Sequence, residues 1–176
     1  PFWKVKNPRL NLRENLKVKF ALLRNSEVAL PSKVPIAYID IRVFVHATED
    51  ADKVLTAVRN LLPTTLINMV VFERKNLTGH HGNPIILFET RIKGEIASHG
   101  VLEKLSSGLS NLDKELLNSD IRRHLERGNL YIRFGKQSAY LNEVKLSQVD
   151  PIHLRIHFRK HDPEEVIEIC RKFGLI

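Results

Sequence analysis

Residues 152–159 read Ile-His-Leu-Arg-Ile-His-Phe-Arg, apolar and polar side chains in unbroken alternation. A β-strand sends successive side chains to opposite faces, so this run predicts a strand with Ile152, Leu154, Ile156 and Phe158 on a dry face and His153, Arg155, His157 and Arg159 on a wet one. Residues 36–47 repeat the pattern, with Ala37, Ile39, Ile41, Val43 and Val45 opposite Tyr38, Asp40, Arg42, Phe44 and His46. Strands of this kind need cover on one face only. That requirement points to an antiparallel sheet, or a mixed one, with helices packed on a single side.

The rest of the chain supplies both layers. Strands are expected at 67–74, at 85–93 and at 129–134, where Leu130, Ile132 and Phe134 oppose Tyr131 and Arg133. The first two of these would be joined by a long loop, 75–84, containing Gly79-His80-His81-Gly82. Thr48 is the expected N-cap of a helix whose stripe of Val54, Leu55, Val58, Leu61 and Leu62 stops at Pro63. A broken or paired helix follows, Val101, Leu102, Leu105 and Leu109 in one phase and Leu112, Leu116, Leu117, Ile121 and Leu125 in the next, with Gly128 at its C′ position. Asp162-Pro163-Glu164-Glu165 opens a last helix, buried along Val166, Ile167, Cys170 and Phe173. The fold class is therefore α+β.

Several chemistries are excluded by what the chain lacks. Cys170 is the only cysteine among 176 residues, so neither an internal disulfide nor a Cys-x-x-Cys centre can form. Apolar runs such as residues 85–88 fall far short of the roughly 20 residues that cross a bilayer. The first twenty residues carry lysines and arginines with no continuous apolar core, which predicts no cleaved secretory signal and a cytoplasmic location. No phosphate-binding Gly-x-x-x-x-Gly-Lys, His-Glu-x-x-His or Gly-x-Ser-x-Gly is present, and the expectation is a protein without enzymatic activity, metal or other cofactor.

Charge divides the chain. Residues 1–35 hold eight Lys/Arg against Glu14 and Glu27, a net +6, whereas residues 36–176 hold twenty against eighteen, a net +2. With Pro31 and Pro35 marking a linker, the expected organisation is a basic N-terminal segment over 1–35, with a candidate extra strand along Leu16, Val18, Phe20 and Leu22, and an α+β domain over 36–176. A basic arm suits a polyanionic partner.

The uncovered face carries the functional reading. Arg42, Arg133, Arg155 and Arg159 are expected to meet phosphates or stack on bases, Phe44 and Tyr131 to offer flat rings to unpaired nucleotides, and His80 and His81 to make loop contacts. Asp40 and Glu89 can also pair with these arginines across strands, at under about 1 kcal/mol each. A second basic cluster comprises Arg122, Arg123, Arg127, Arg133 and Lys136. Gly79-His80-His81-Gly82 has the letters of the loop that clamps RNA in KH domains, but it joins strands here and predicts no KH fold.

Three motifs in order are specific: Phe44-Val45-His46-Ala47-Thr48-Glu49-Asp50 with Lys53-Val54; Gly79-His80-His81-Gly82-Asn83-Pro84-Ile85; and Gly128-Asn129-Leu130-Tyr131-Ile132-Arg133 with Lys136-Gln137 and Ala139-Tyr140. They resemble the archaeal family of RNA-binding proteins predicted to be exosome-associated, over roughly residues 36–160. The resemblance implies a fold like that of the 5S-rRNA-binding ribosomal protein of the large subunit, RNA as partner, and a place in RNA processing or ribosome biogenesis beside exosome or ribosomal components. The chain departs from the pattern at Gly135, where the family has an acid before Lys136-Gln137, and at Leu141-Asn142, where it has an acid-glycine pair. The expected function is thus non-catalytic RNA binding through Arg42, Phe44, His80, His81, Tyr131, Arg133, Lys136, Arg155 and Arg159. Alternatives are a protein-interaction adaptor on an RNA-processing complex and a metal-dependent RNA hydrolase using His80, His81 and Glu49 or Asp50.

Overall fold

A computed structural model describes residues 35–80 and 82–176. Residues 1–34 of the expected 1–35 segment, with its candidate strand, and His81 lie outside the described residues.

Among the described residues, six strands form one antiparallel sheet in the order β2-β3-β1-β6-β5-β4. They are β1 (Ile36–Val45), β2 (Glu73–Thr78), β3 (Pro84–Lys93), β4 (Leu125–Glu126), β5 (Asn129–Gly135) and β6 (Pro151–Phe158). The two alternating runs with which the sequence reading began, β1 and β6, are neighbours at the middle of the sheet. Their apolar members, with Leu130, Ile132 and Phe134 of β5, are buried against one layer of helices.

That layer contains α1 (Ala51–Asn60), α2 (Thr64–Ile67), α3 (Glu95–Gly108), α4 (Asn111–Asp120), α5 (Lys136–Tyr140) and α6 (Pro163–Lys172). Val58 of α1, Val101, Leu102 and Leu105 of α3, and Val166 and Cys170 of α6 share the strands' apolar cluster. Burial pushes the Cys170 thiol up to about 12, so it acts as a packing residue. Among the described residues no helix is long and apolar enough to cross a membrane.

The ends of several elements differ from expectation for local reasons. Asp50, not Thr48, caps α1, its carboxylate accepting from the Asp52 and Lys53 amides. Ala37 is the extra residue of a bulge in β1, so Ile36 takes the core place expected for Ala37. The strand expected at 67–74 lies instead at Glu73–Thr78; it is an edge strand exposed along its length, and an apolar pattern cannot mark such a strand. The loop it shares with β3 is correspondingly short, closed by the Gly79 amide donating to the Asn83 carbonyl at 2.8 Å.

Gly128 does not follow a helix. After α4 a 3₁₀ turn (Ile121–His124) leads into β4, and Arg127 and Gly128 form the two-residue turn to β5. Their φ values of 47° and 75° are the type I′ pattern, which matches the twist of a tight hairpin. Ser110 breaks the long helical region by capping α4 through the Asp113 amide, as the interrupted pattern predicts. Only Leu117 and Ile121 of the expected second stripe are buried; Leu112 and Leu116 face solvent.

Candidate nucleic-acid interface

Strand register arranges the uncovered face in rungs. The first rung runs Lys93, Tyr38, His157, Asn129, the second Arg91, Asp40, Arg155, Tyr131, and the third Glu89, Arg42, His153, Arg133. Leu87 and Phe44 stand in the fourth. Alternation in the sequence puts each of these side chains on the same side, and pairing brings them abreast.

Acids hold much of this face in place. Asp40, at 7% exposure, accepts from Arg91 Nε at 2.6 Å and Nη2 at 3.0 Å, and from Arg155 on its other side. Burial acts to raise its pKa, but the two guanidiniums outweigh burial and hold the carboxyl below its ordinary range. Glu89 pairs with Arg42 Nε at 2.6 Å and with Lys75 at 2.5 Å, and the Lys75 bond is the main cause of its lowered pKa. The cross-strand pairing open to these residues is therefore made.

Arg133 is different. Its Nη1 donates to the neutral Gln148 Oε1 at 2.8 Å, and among the described residues no carboxylate lies within ion-pair distance of it. His153 sits between Arg42 and Arg133, and burial, followed by those two charges, lowers its pKa below the ordinary imidazole value.

At the far end of the face, Arg91 lies over the Tyr38 ring with 4.1 Å to its centroid, and Tyr38 stacks on His157 at 4.7 Å. Near the middle a hollow of 380 Å³ opens, lined by Arg42, Phe44, Tyr131, Arg133, His153 and Arg155 around Asp40. Of the residues expected to touch RNA, Arg42, Phe44, Tyr131, Arg133 and Arg155 are thus brought together.

The others are not. Arg159 follows the end of β6, with Nη2 4.0 Å from Glu95 at the start of α3. His80 lines a separate hollow of 300 Å³ with His46 and Thr48, beyond the fourth rung. Lys136, expected at the RNA surface, is buried in an ion cluster, its Nζ 2.8 Å from Glu49 and 2.7 Å from Asp150, and is corrected here to a structural cation. The second basic cluster disperses with it: Arg122 pairs with Glu164 of α6, Arg123 with Asp120 at 3.3 Å, and Arg133 joins the sheet face.

His46, Glu49 and Asp150 bring one ligand atom each within 4.8 Å of one another, which is the spacing of a metal site. The Lys136 ammonium already stands between the two carboxylates. The hydrolase alternative drew on His80, His81 and Glu49 or Asp50, yet the Asp50 carboxylate is committed to capping α1 and Glu49 to Lys136 and the His46 amide. This cluster borders a cleft of 780 Å³, where Thr48, Lys53, Lys136 and Tyr140 of the first and third sequence motifs meet.

Asp40, His153 and Gln148 escaped the sequence reading of the binding residues. Asp40 and His153 were visible as wet-face positions, but only register shows that they link or separate the arginines. Gln148 lies in an irregular segment with no periodic signal. Asn142, standing where the resemblance expects glycine, has φ 63°, a left-handed conformation that asparagine tolerates.

A family model described as RNA binding matches residues 38–158. RNA-binding protein PAB1135 of Pyrococcus abyssi is 41% identical over 149 residues, 82% of this chain and 97% of that protein. An uncharacterized protein of Methanocaldococcus jannaschii, MJ0213, is 32% identical over 143 residues, 74% of this chain and 93% of its own. The crystal structure of the DUF54 protein AF2318 from Archaeoglobus fulgidus superposes with a TM-score of 0.67 at 30% identity, covering 78% of this chain and 99% of that one. A DUF54 protein from Methanothermobacter thermautotrophicus superposes with a TM-score of 0.64 at 31% identity, over 78% and 97%.

Proposed function

Since the chain belongs to the RNA-binding family that these archaeal proteins represent, we propose that it binds RNA on the face formed by β1, β6 and β5, without catalysing a reaction. The observation that carries this is the hollow in which three arginines and two exposed rings converge, with Arg133 unclaimed by any carboxylate among the described residues. A phosphate on Arg133 gains a charge-assisted, two-pronged contact and displaces only a neutral amide. Arg42 and Arg155 supply further positive charge from either side. Arg159 and His80 lie outside the hollow, where a longer RNA would reach them.

The setting we propose is RNA processing, with exosome or ribosomal components as the partners to seek; the family resemblance supports it. Labelled RNA titrated by fluorescence anisotropy at several salt concentrations tests the binding. Log affinity should fall linearly with log salt, by roughly 0.7–0.9 for each phosphate neutralised, and Arg133→Ala should remove about one such contact. Affinity that is absent at low salt, or indifferent to salt, overturns the reading.

A further inference from the structure

We propose that the face takes an unpaired RNA strand running diagonally over the hollow, one base on Phe44, another on Tyr131, and the intervening backbone over Arg42, His153 and Arg133. This rests on the RNA-binding reading and adds the form of the RNA and its path.

The geometry follows from the register. Tyr131 belongs to the rung of Asp40, and Phe44 stands four residues beyond Asp40 on β1. Two strand spacings across and four residues along put their Cα atoms about 17 Å apart. One base cannot reach both rings, so they serve separate nucleotides. The rung of Arg42, His153 and Arg133 crosses the line between them, which places cations under the connecting phosphates and rings under the bases.

Exposure of the rings distinguishes this ligand from a duplex. Phe44 is 36% exposed and Tyr131 38%, although each is a large apolar group beside a well-packed core. In a duplex the base faces are already stacked on one another, so only phosphates, ribose and base edges could meet this surface. A phenyl ring such as Phe44 has no hydrogen bond to offer them. An unpaired base covers the ring with its own face, and such stacks contribute about 1–3 kcal/mol per base.

The experiment compares a single-stranded RNA of roughly twelve nucleotides, within the usual range of such sites, with the same sequence in a blunt duplex, by anisotropy at fixed salt. The single strand should bind the protein at least about tenfold more tightly. Phe44→Leu and Tyr131→Leu should each weaken the single strand by roughly 5- to 150-fold while leaving duplex affinity and the salt slope unchanged. Both residues lie on the open face, and unfolding curves of the variants establish that the fold is kept. Equal or tighter duplex binding, or variants that weaken both RNAs alike, overturns the diagonal single-strand path while RNA binding stands. Failure to bind either RNA overturns both.

Discussion

Asp40→Asn separates what the central ion pairs do for the fold from what they do for RNA. Three hydrogen bonds from Arg91 and Arg155 end on this carboxylate. Charge-assisted bonds contribute about 1.5–3 kcal/mol each where they are shielded from water. The amide keeps one acceptor oxygen, and the side chains of Arg91 and Arg155 are 46% and 31% exposed, so water replaces much of what they lose. About 2 kcal/mol of stability should go, lowering Tm by roughly 4–8 °C. The pH dependence gives the sign. Burial pushes the Asp40 pKa up, the guanidiniums pull it further down, and the net folded value is below the ordinary one. Its contribution is therefore full above the unfolded pKa of about 3.9 and is lost as pH falls through the folded pKa. Urea unfolding of both proteins should show a gap at pH 7 that closes in strong acid. The same substitution removes one negative charge and frees the two guanidiniums, so RNA affinity should rise and the salt slope steepen by roughly 0.7 for a further single-strand contact. A stability gap that persists unchanged in acid refutes the electrostatic account, and a fall in RNA affinity shows that Asp40 instead holds Arg155 in its binding pose.

A Cβ on Gly108 would stand 2.4 Å from Val144 Cγ2, so Gly108→Ala should cost about 1–3 kcal/mol by overpacking. Adding Val144→Ala should bring the double variant below the sum of the two single losses in urea unfolding. Lys136→Met leaves Glu49 and Asp150 without their cation; with those carboxylates 27% and 39% exposed, the loss should be about 1–3 kcal/mol, below the cost of a fully buried broken pair. Burial raises the Asp150 pKa, but Lys136 and His46 lower it further, so this loss too is present at neutral pH and fades as pH falls through the folded value. Burial, followed by Arg133 and Arg42, lowers the His153 pKa below the ordinary imidazole value. A phosphate between those arginines would raise its pKa, so RNA affinity should increase as pH drops from 8 to about 5.5, and His153→Gln should flatten that part of the profile.

How much of this was legible depended on burial. β1, β5 and β6 each have one face in the core, so their alternation marked both the strands and the residues they expose. β2 has no buried residue and its true span could not be read; the apolar residues before it, Ile67, Val70 and Phe72, pack beside the core and imitated a strand. Arg127-Gly128 misled because a glycine after a helical pattern serves equally as a helix stop or a hairpin turn. For the candidate face, alternation was enough to place Arg42, Phe44, Tyr131, Arg133 and Arg155 on one side of the sheet. Lys136 entered through charge clustering and the third motif, neither of which shows burial: it starts a short helix, and its partners Glu49 and Asp150 come from 87 and 14 residues away.

The pairing of the face and its proposed use by RNA are compatible only if their energies are ranked. A phosphate approaching Arg42 or Arg155 must share the guanidinium with Glu89 or Asp40, so part of each new contact replaces an existing one, and the gain per arginine is smaller than on a bare cationic surface. Arg133 meets no such competition, and neither do the faces of Phe44 and Tyr131. Affinity should therefore concentrate in one arginine and two rings, while the paired arginines supply a field that attracts RNA without committing to any one phosphate. Such a surface binds with a modest salt slope and a large stacking contribution, the reverse of a basic patch that holds duplex by charge alone.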